Sequence, residues 1–255
     1  MSGTGKRTVL VTGGARRLGA AIVRALAAAG HRVVVHHNGS ADMAAALVAE
    51  LGGAAVAVRA DFAEEAAVAN LIGEAAAAAG TTIDGLVNCA SMFEFDRPPL
   101  DDLALLRRLM PVNLGAPVLL ASAFARQPGL TDGAVVNLLD QKVANLNPDF
   151  FSYTCTKTAL AGATEMLAQA LAPTVRVNAV APGLTLPSGD QTEAEFAAVA
   201  CENLLRRRVD AAEIGRTVEF LLTAGSITGQ TVFVDCGQRF LRRDGDVMFE
   251  TRERP

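Results

Sequence analysis

With 255 residues, 51% hydrophobic and 20% charged, the chain has the composition of an ordinary globular protein with a sizeable core. A net charge of -4 argues against a nucleic-acid or anionic-membrane partner, and no uninterrupted apolar run of about 18 residues predicts a membrane span. Cys89, Cys155, Cys201 and Cys236 form no C-x-x-C pair, so they read as reduced thiols of a cytoplasmic protein, not as a disulfide frame or zinc site.

Short β-branched runs then alternate with alanine-rich helical stretches. The polar start Met1–Arg7 shows no signal peptide and leads into a strand over Thr8–Thr12 and a helix over Arg17–Ala29, stopped by Gly30. Arg32–His36 is the second strand and Ala41–Leu51 the second helix, stopped by Gly52-Gly53. Ala55–Arg59 and Ala63–Ala79 repeat the unit before Gly80. Gly85–Asn88 is strand four, and Asp101–Arg126 a long helix with a kink expected at Pro111. Ala134–Leu139 and a long helix over Phe151–Leu171 follow. Val175–Ala181, helical stretches over Gln191–Arg206 and Ala211–Thr223, and a last strand over Thr231–Asp235 complete the order. Continuous apolar strands alternating with helices predict a single-domain α/β fold, a doubly wound parallel sheet of Rossmann type with helices on both faces. No linker or repeat divides 1–255. A lid is expected at about 184–206, and a solvated or partner-contacting arm at about 238–255.

Ligands of such sheets bind beyond the carboxyl ends of the strands. The first such end is Thr12-Gly13-Gly14-Ala15-Arg16-Arg17-Leu18-Gly19, where glycines admit a pyrophosphate and the helix start attracts its charge. At the end of strand two, a carboxylate would hold the ribose 2′-hydroxyl of NAD. The sequence offers instead His36-His37-Asn38-Gly39-Ser40, with Arg16 and Arg17 nearby. A 2′-phosphate suits arginine and polar donors, so NADP is expected, with Arg16, His37, Asn38 and Ser40 around it. His36 and His37 point to opposite faces of a strand, which argues against a metal between them.

The only tyrosine, Tyr153, stands four residues before Lys157 and thirteen after Asp140. On a helix the phenol and the ammonium share one face, and a nearby ammonium favours phenolate and lowers the tyrosine pKa. An ionised Asp140 can only accept a hydrogen bond, which repels a developing alkoxide but suits a ring nitrogen that must gain a proton. A strand-end cap is the alternative for Asp140, and ordinary packing is the alternative for Phe93.

With Thr12-Gly13 and Gly19, Asp61-Phe62, Asn88-Cys89-Ala90, Asn113, Tyr153, Lys157, Asn178 and Pro182-Gly183 in this order, the chain resembles the short-chain dehydrogenase/reductases over nearly its whole length. The resemblance implies a nicotinamide cofactor contacted by Gly13, Arg16, Arg17, Leu18, Gly19, Asp61 at the adenine, Phe62, Asn88, Ala90, Ser91, Pro182 and Gly183. It makes Tyr153 the proton donor. Lys157 becomes the group that holds the nicotinamide ribose and lowers the Tyr153 pKa, and Asn113 orders a water relay. Two departures stand out: Arg17 replaces a glycine of the turn, and Asp140 replaces the catalytic serine. Together with Ala90-Ser91-Met92-Phe93 they are similar to the pteridine reductase branch. That implies a pterin-like substrate between Arg17, Ser91, Phe93, Asp140 and Tyr153, stacked by the Phe93 ring. A homotetramer is implied in the same way. The rivals are a carbonyl or 3-oxoacyl reductase of the same family and a non-enzymatic NADP-sensing protein.

Overall fold

The computed structural model describes residues 5–188, 191–250 and 253–254, so 189 and 190 of the expected lid and 251, 252 and 255 of the arm lie outside the described residues. Seven strands form one parallel sheet: β1 (Thr8–Val11), β2 (Arg32–His37), β3 (Ala55–Arg59), β4 (Gly85–Asn88), β5 (Gly133–Leu138), β6 (Val175–Pro182) and β7 (Thr231–Val234). Their order is β3-β2-β1-β4-β5-β6-β7. Direction of travel reverses between β1 and β4, so the switch point of the sheet lies at their carboxyl ends.

Each crossover carries a helix with an apolar stripe. Ile22, Val23 and Leu26 of α1 (Arg17–Ala28) and Ile214, Val218, Leu221 and Leu222 of α8 (Ala211–Thr223) are buried on one face of the sheet. On the other face lie Leu71 and Ile72 of α3 (Glu65–Ala79), Leu120 and Phe124 of α5 (Ala116–Ala125), and Ala168 of α6 (Phe151–Ala170). Burying both faces is why the strands read as continuous apolar runs and not as alternating ones. Helix α2 (Ala41–Leu51) keeps its expected bounds.

The long fourth helix is divided as its proline predicts. Between α4 (Ala104–Met110) and α5, residues Pro111–Gly115 form one π turn. Proline has no N–H for the helical ladder and crowds the carbonyl four residues back, so the turn widens. That turn directs Asn113, fully buried, toward the loop after β4. By length and apolarity the stretch Ala104–Ala125 could cross a membrane. Yet Leu109, Leu120, Ala121 and Phe124 are wholly buried within the protein, as a core helix requires.

Two expectations need correction. The helix expected over Gln191–Arg206 is short: α7 runs from Glu193 to Val199, opened by a capping box between Thr192 and Glu195. Beyond it the Asn203 amide donates to the carbonyls of Ala200 and Arg207 and accepts from the Arg207 N–H, drawing the backbone out of the helical ladder. The second correction concerns the arm, expected to be solvated or to contact a partner, part of which packs onto this chain's own core. Gln238, Val247 and Met248 are buried, and Phe249 packs on Phe95 and Phe150 beside the site described next.

Candidate active site

At the switch point, Gly13 adopts φ +63, and a Cβ there would lie 2.9 Å from the Ala90 Cα. Glycine is therefore required where the loops after β1 and β4 meet, leaving backbone groups as the surface of the turn. His36 supports that turn from below. Its Nδ1 accepts the Gly13 N–H at 3.1 Å, which leaves Nε2 to donate to the Ala60 carbonyl, and its ring stacks on Phe62 at 4.4 Å. Burial drives its pKa down to about 4, so it stays neutral and keeps that tautomer. Sequence reasoning weighed His36 only as a metal ligand; its supporting role depends on a contact 23 residues away.

Arg16 stands just before α1 and is exposed, as is Asn38 beyond β2, while Ser40 is half-buried. The parallel register pairs His37 with Arg59, whose Nε donates to the Asn38 carbonyl at 3.2 Å. Arg59 thus adds a cation to this corner. The signal for it was available, since β3 must lie beside β2 and end at the same edge. Asp61 receives the Ala63 N–H on one oxygen. Arg17 has φ +52, a backbone setting that costs a non-glycine residue about 1–3 kcal/mol. Its guanidinium donates to the Pro187 carbonyl of the lid segment. Leu18 and Gly19 follow in the first turn of α1.

Asn88 is buried; its amide donates to Asn137 at 2.9 Å, while its own Oδ1 finds no partner among the described residues. The Asn113 amide is fully committed. It accepts from Ser91 Oγ and the Met92 N–H, and donates to the Met92 carbonyl and Thr156 Oγ1. It therefore ties the loop carrying Ser91 and Phe93 to α6.

Asp140 ends the segment after β5, and its two oxygens do different things. Oδ1 accepts the Lys142 N–H at 2.9 Å, capping a short 3₁₀ turn, and Oδ2 accepts the Tyr153 hydroxyl at 3.1 Å. The cap reading and the contact with tyrosine are both present. Burial, reinforced by Asp246, pushes the Asp140 carboxyl above its ordinary range despite the opposing Lys142 N–H and ammonium. Tyr153 also departs from expectation. Burial and the adjacent Asp140 hold its phenol well above 10, the reverse of the lowering expected from Lys157. Burial is the larger cause, and Lys157 is placed too far to offset it: its Nζ lies 5.7 Å from the Tyr153 ring centre and donates to the Leu138 carbonyl at 2.8 Å, whereas Asp140 touches the phenol directly. Burial lowers the Lys157 ammonium to about 8.

A cavity of about 190 Å³ opens beside this pair. Arg17, Leu18, Phe93, Asp140, Pro182 and Gly183 line it, together with Lys142, Gln191, Asp246 and Met248, which the sequence did not single out. Phe93 stacks on Phe150 at 4.2 Å and meets Tyr153 edge-on at 4.7 Å, so packing accounts for one of its faces.

Sheet and site together define an oxidoreductase of the doubly wound class. The chain belongs to the short chain dehydrogenase family, whose model matches residues 7–197. It is similar to the FolM alternative dihydrofolate reductase 1 from Brucella canis, solved in complex with NADP. That likeness has 45% identity and a TM-score of 0.88, covering 93% of this chain and 95% of that one. A dihydromonapterin reductase of Enterobacter is 27% identical over 93% of this chain and 99% of its own length. A 3-oxoacyl-[acyl-carrier-protein] reductase of Synechocystis is 34% identical, covering 91% and 96%.

Proposed function

We propose that this chain is a cytoplasmic, oligomeric NADPH-dependent reductase of a dihydropteridine ring. The observation that carries the reading is Asp140, which stands where the ketone reductases of the family carry serine and accepts the Tyr153 hydroxyl at the cavity wall. Bound NADPH supplies a hydride. The chain's residues have the remaining work: holding the dinucleotide, orienting the ring, and delivering one proton.

The residues present fit that cofactor. The Gly13 turn exposes backbone at the switch point, and Arg16, Arg59 and Ser40 surround the corner where a 2′-phosphate would lie. Lys157, buried and with no carboxylate bonded to it among the described residues, is suited to ribose hydroxyls. Measured affinity should favour NADPH over NADH at least about tenfold, roughly 1.4 kcal/mol, the scale of one charge-assisted contact. Arg16→Ala should erode that preference and leave NADH binding almost unchanged; equal wild-type affinities would remove the cofactor assignment.

The substrate ring would lie in the cavity against Phe93, with Arg17 at its edge; Ser91, bonded to Asn113, stands in the loop behind Phe93. The hydride goes to a ring carbon, the C=N π pair moves to the adjacent nitrogen, and that nitrogen takes the proton. Protonated Asp140, or Tyr153 through Asp140, is the donor. Burial of the pair suits this role, because it raises both groups in the direction that holds a proton. With all four positions of the Asn113 amide occupied, its side chain holds the Ser91–Phe93 loop against α6 and has no position left for a relay water.

The 3-oxoacyl reductase reading has the support of the Synechocystis relative. Against it, Asp140 can help a developing alkoxide only while protonated, and once ionised it raises that barrier, a penalty a serine hydroxyl does not carry. Comparing kcat/KM for dihydropterins, dihydrofolate and a 3-oxoacyl thioester decides between them. Turnover confined to the thioester would overturn the proposal.

A further inference from the structure

The C-terminal arm carries an acid into the cavity. Asp246 lines the cavity and accepts the Lys142 Nζ at 2.8 Å, with both side chains largely buried. Lys142 has a second connection: its N–H donates to Asp140 Oδ1. One residue therefore links the arm's carboxylate to the carboxyl at the reaction centre. The arm is built to hold this position. Asp149, wholly buried, accepts the Asp246 N–H at 2.7 Å and is clamped by Arg97 and Arg254. Gly245 makes the approach possible, since a Cβ there would lie 2.5 Å from the Asp149 Oδ2. Asp246 Oδ1 then accepts the Met248 N–H, and Met248 joins the cavity wall.

We infer that Asp246 and Lys142 are positioning residues for proton delivery, and that the C-terminal arm thereby forms part of the active site. The inference rests on the proposed role of Asp140 as acid. The charged and titratable groups around the Asp140–Tyr153 pair are Lys142 from the turn of Asp140, Lys157 from α6, Cys89 after β4 on the tyrosine side, Asp246 from the arm, and Arg17 across the cavity. Of these, Lys142 and Asp246 oppose each other. The ammonium favours Asp140 carboxylate, and the Asp246 carboxylate favours its protonated form.

Opposed charges give a signature that a purely structural pair would not. The acid acts while protonated, so turnover falls on the alkaline side as Asp140 ionises. Asp246→Asn removes a negative charge and eases that ionisation, so the alkaline limb of kcat should move to lower pH by about half a unit or more. Lys142→Met removes the positive charge and should move the limb to higher pH by a similar amount. The double variant should return close to the wild-type profile, and Asp246→Glu with Lys142→Arg should keep it.

The measurement is the pH dependence of kcat with saturating NADPH and a dihydropterin, on folded full-length chains checked by thermal midpoint. Shifts of opposite sign support the inference. Shifts of the same sign, or an unmoved limb in Asp246→Asn, overturn it, and that variant alone suffices if Lys142→Met fails to fold. Asp140→Asn serves as the control for the underlying reading: if it retains full pterin turnover, the proton role of Asp140 falls first. If it is inactive while the limb stays fixed in Asp246→Asn, only the inference about the arm fails.

Discussion

Replacing Asp140 with serine should lower dihydropterin reduction by about 10²-fold or more, the scale of a positioned general acid, with NADPH binding intact. The change removes the partner of the Tyr153 hydroxyl and leaves a hydroxyl that can donate as well as accept. Small-ketone reduction should stay level or rise, because a hydroxyl donates at every pH, whereas Asp140 repels the oxyanion once ionised. If Asp140 only caps the turn through the Lys142 N–H, the outcome is different. Serine caps a turn about as well as aspartate, so stability and turnover per folded molecule would then both hold. Thermal midpoint and both activities, measured on one preparation, separate the two.

Tyr153→Phe should keep cofactor binding and cut turnover by roughly 10²- to 10⁴-fold. Lys157 is one helical turn away but bonded to the Leu138 carbonyl, so removing the phenol leaves the ammonium in place. Lys157→Ala should lower turnover and cofactor affinity together. Near-wild-type pterin turnover in Tyr153→Phe would leave Asp140 as the sole proton source and refute the shared role. Because burial holds the phenol well above 10, Tyr153 should remain a neutral donor through the working range, and its ionisation should not shape the pH profile below about 10.

The strands and helices were legible because each has one dominant local signal. Ala41–Leu51, Ala55–Arg59 and Gly85–Asn88 match their expected bounds, since glycines, charged residues and polar breaks flank uninterrupted apolar or alanine-rich runs. Pro111 announced its own kink. Residues beyond α7 failed because the decisive bonds come from one side chain, Asn203, whose choice of backbone partners no periodicity reveals. Within the site, residues tied by sequence spacing were found: Tyr153 with Lys157, and Asp140 with Tyr153.

Groups brought in by tertiary contact were missed, and each for a concrete reason. His36 reaches Gly13 across a strand pair, Arg59 reaches Asn38 across another, and Asp246 reaches Lys142 over 104 residues. The sign of the Tyr153 pKa shift failed for a related reason. A helical i,i+4 relation brings two side chains near each other, but burial of the phenol, with the adjacent Asp140 added, decides the titration.

The central claim is that this chain delivers a hydride to a carbon of a pterin ring. The most direct measurement supplies NADPH deuterated at its transferable position together with a dihydropterin, and follows the label by mass spectrometry and NMR. The account predicts one deuterium on the ring carbon next to the newly protonated nitrogen, with one NADP formed per tetrahydropterin. An unlabelled pterin, from a preparation that passes the same deuterium to a 3-oxoacyl thioester, would contradict it.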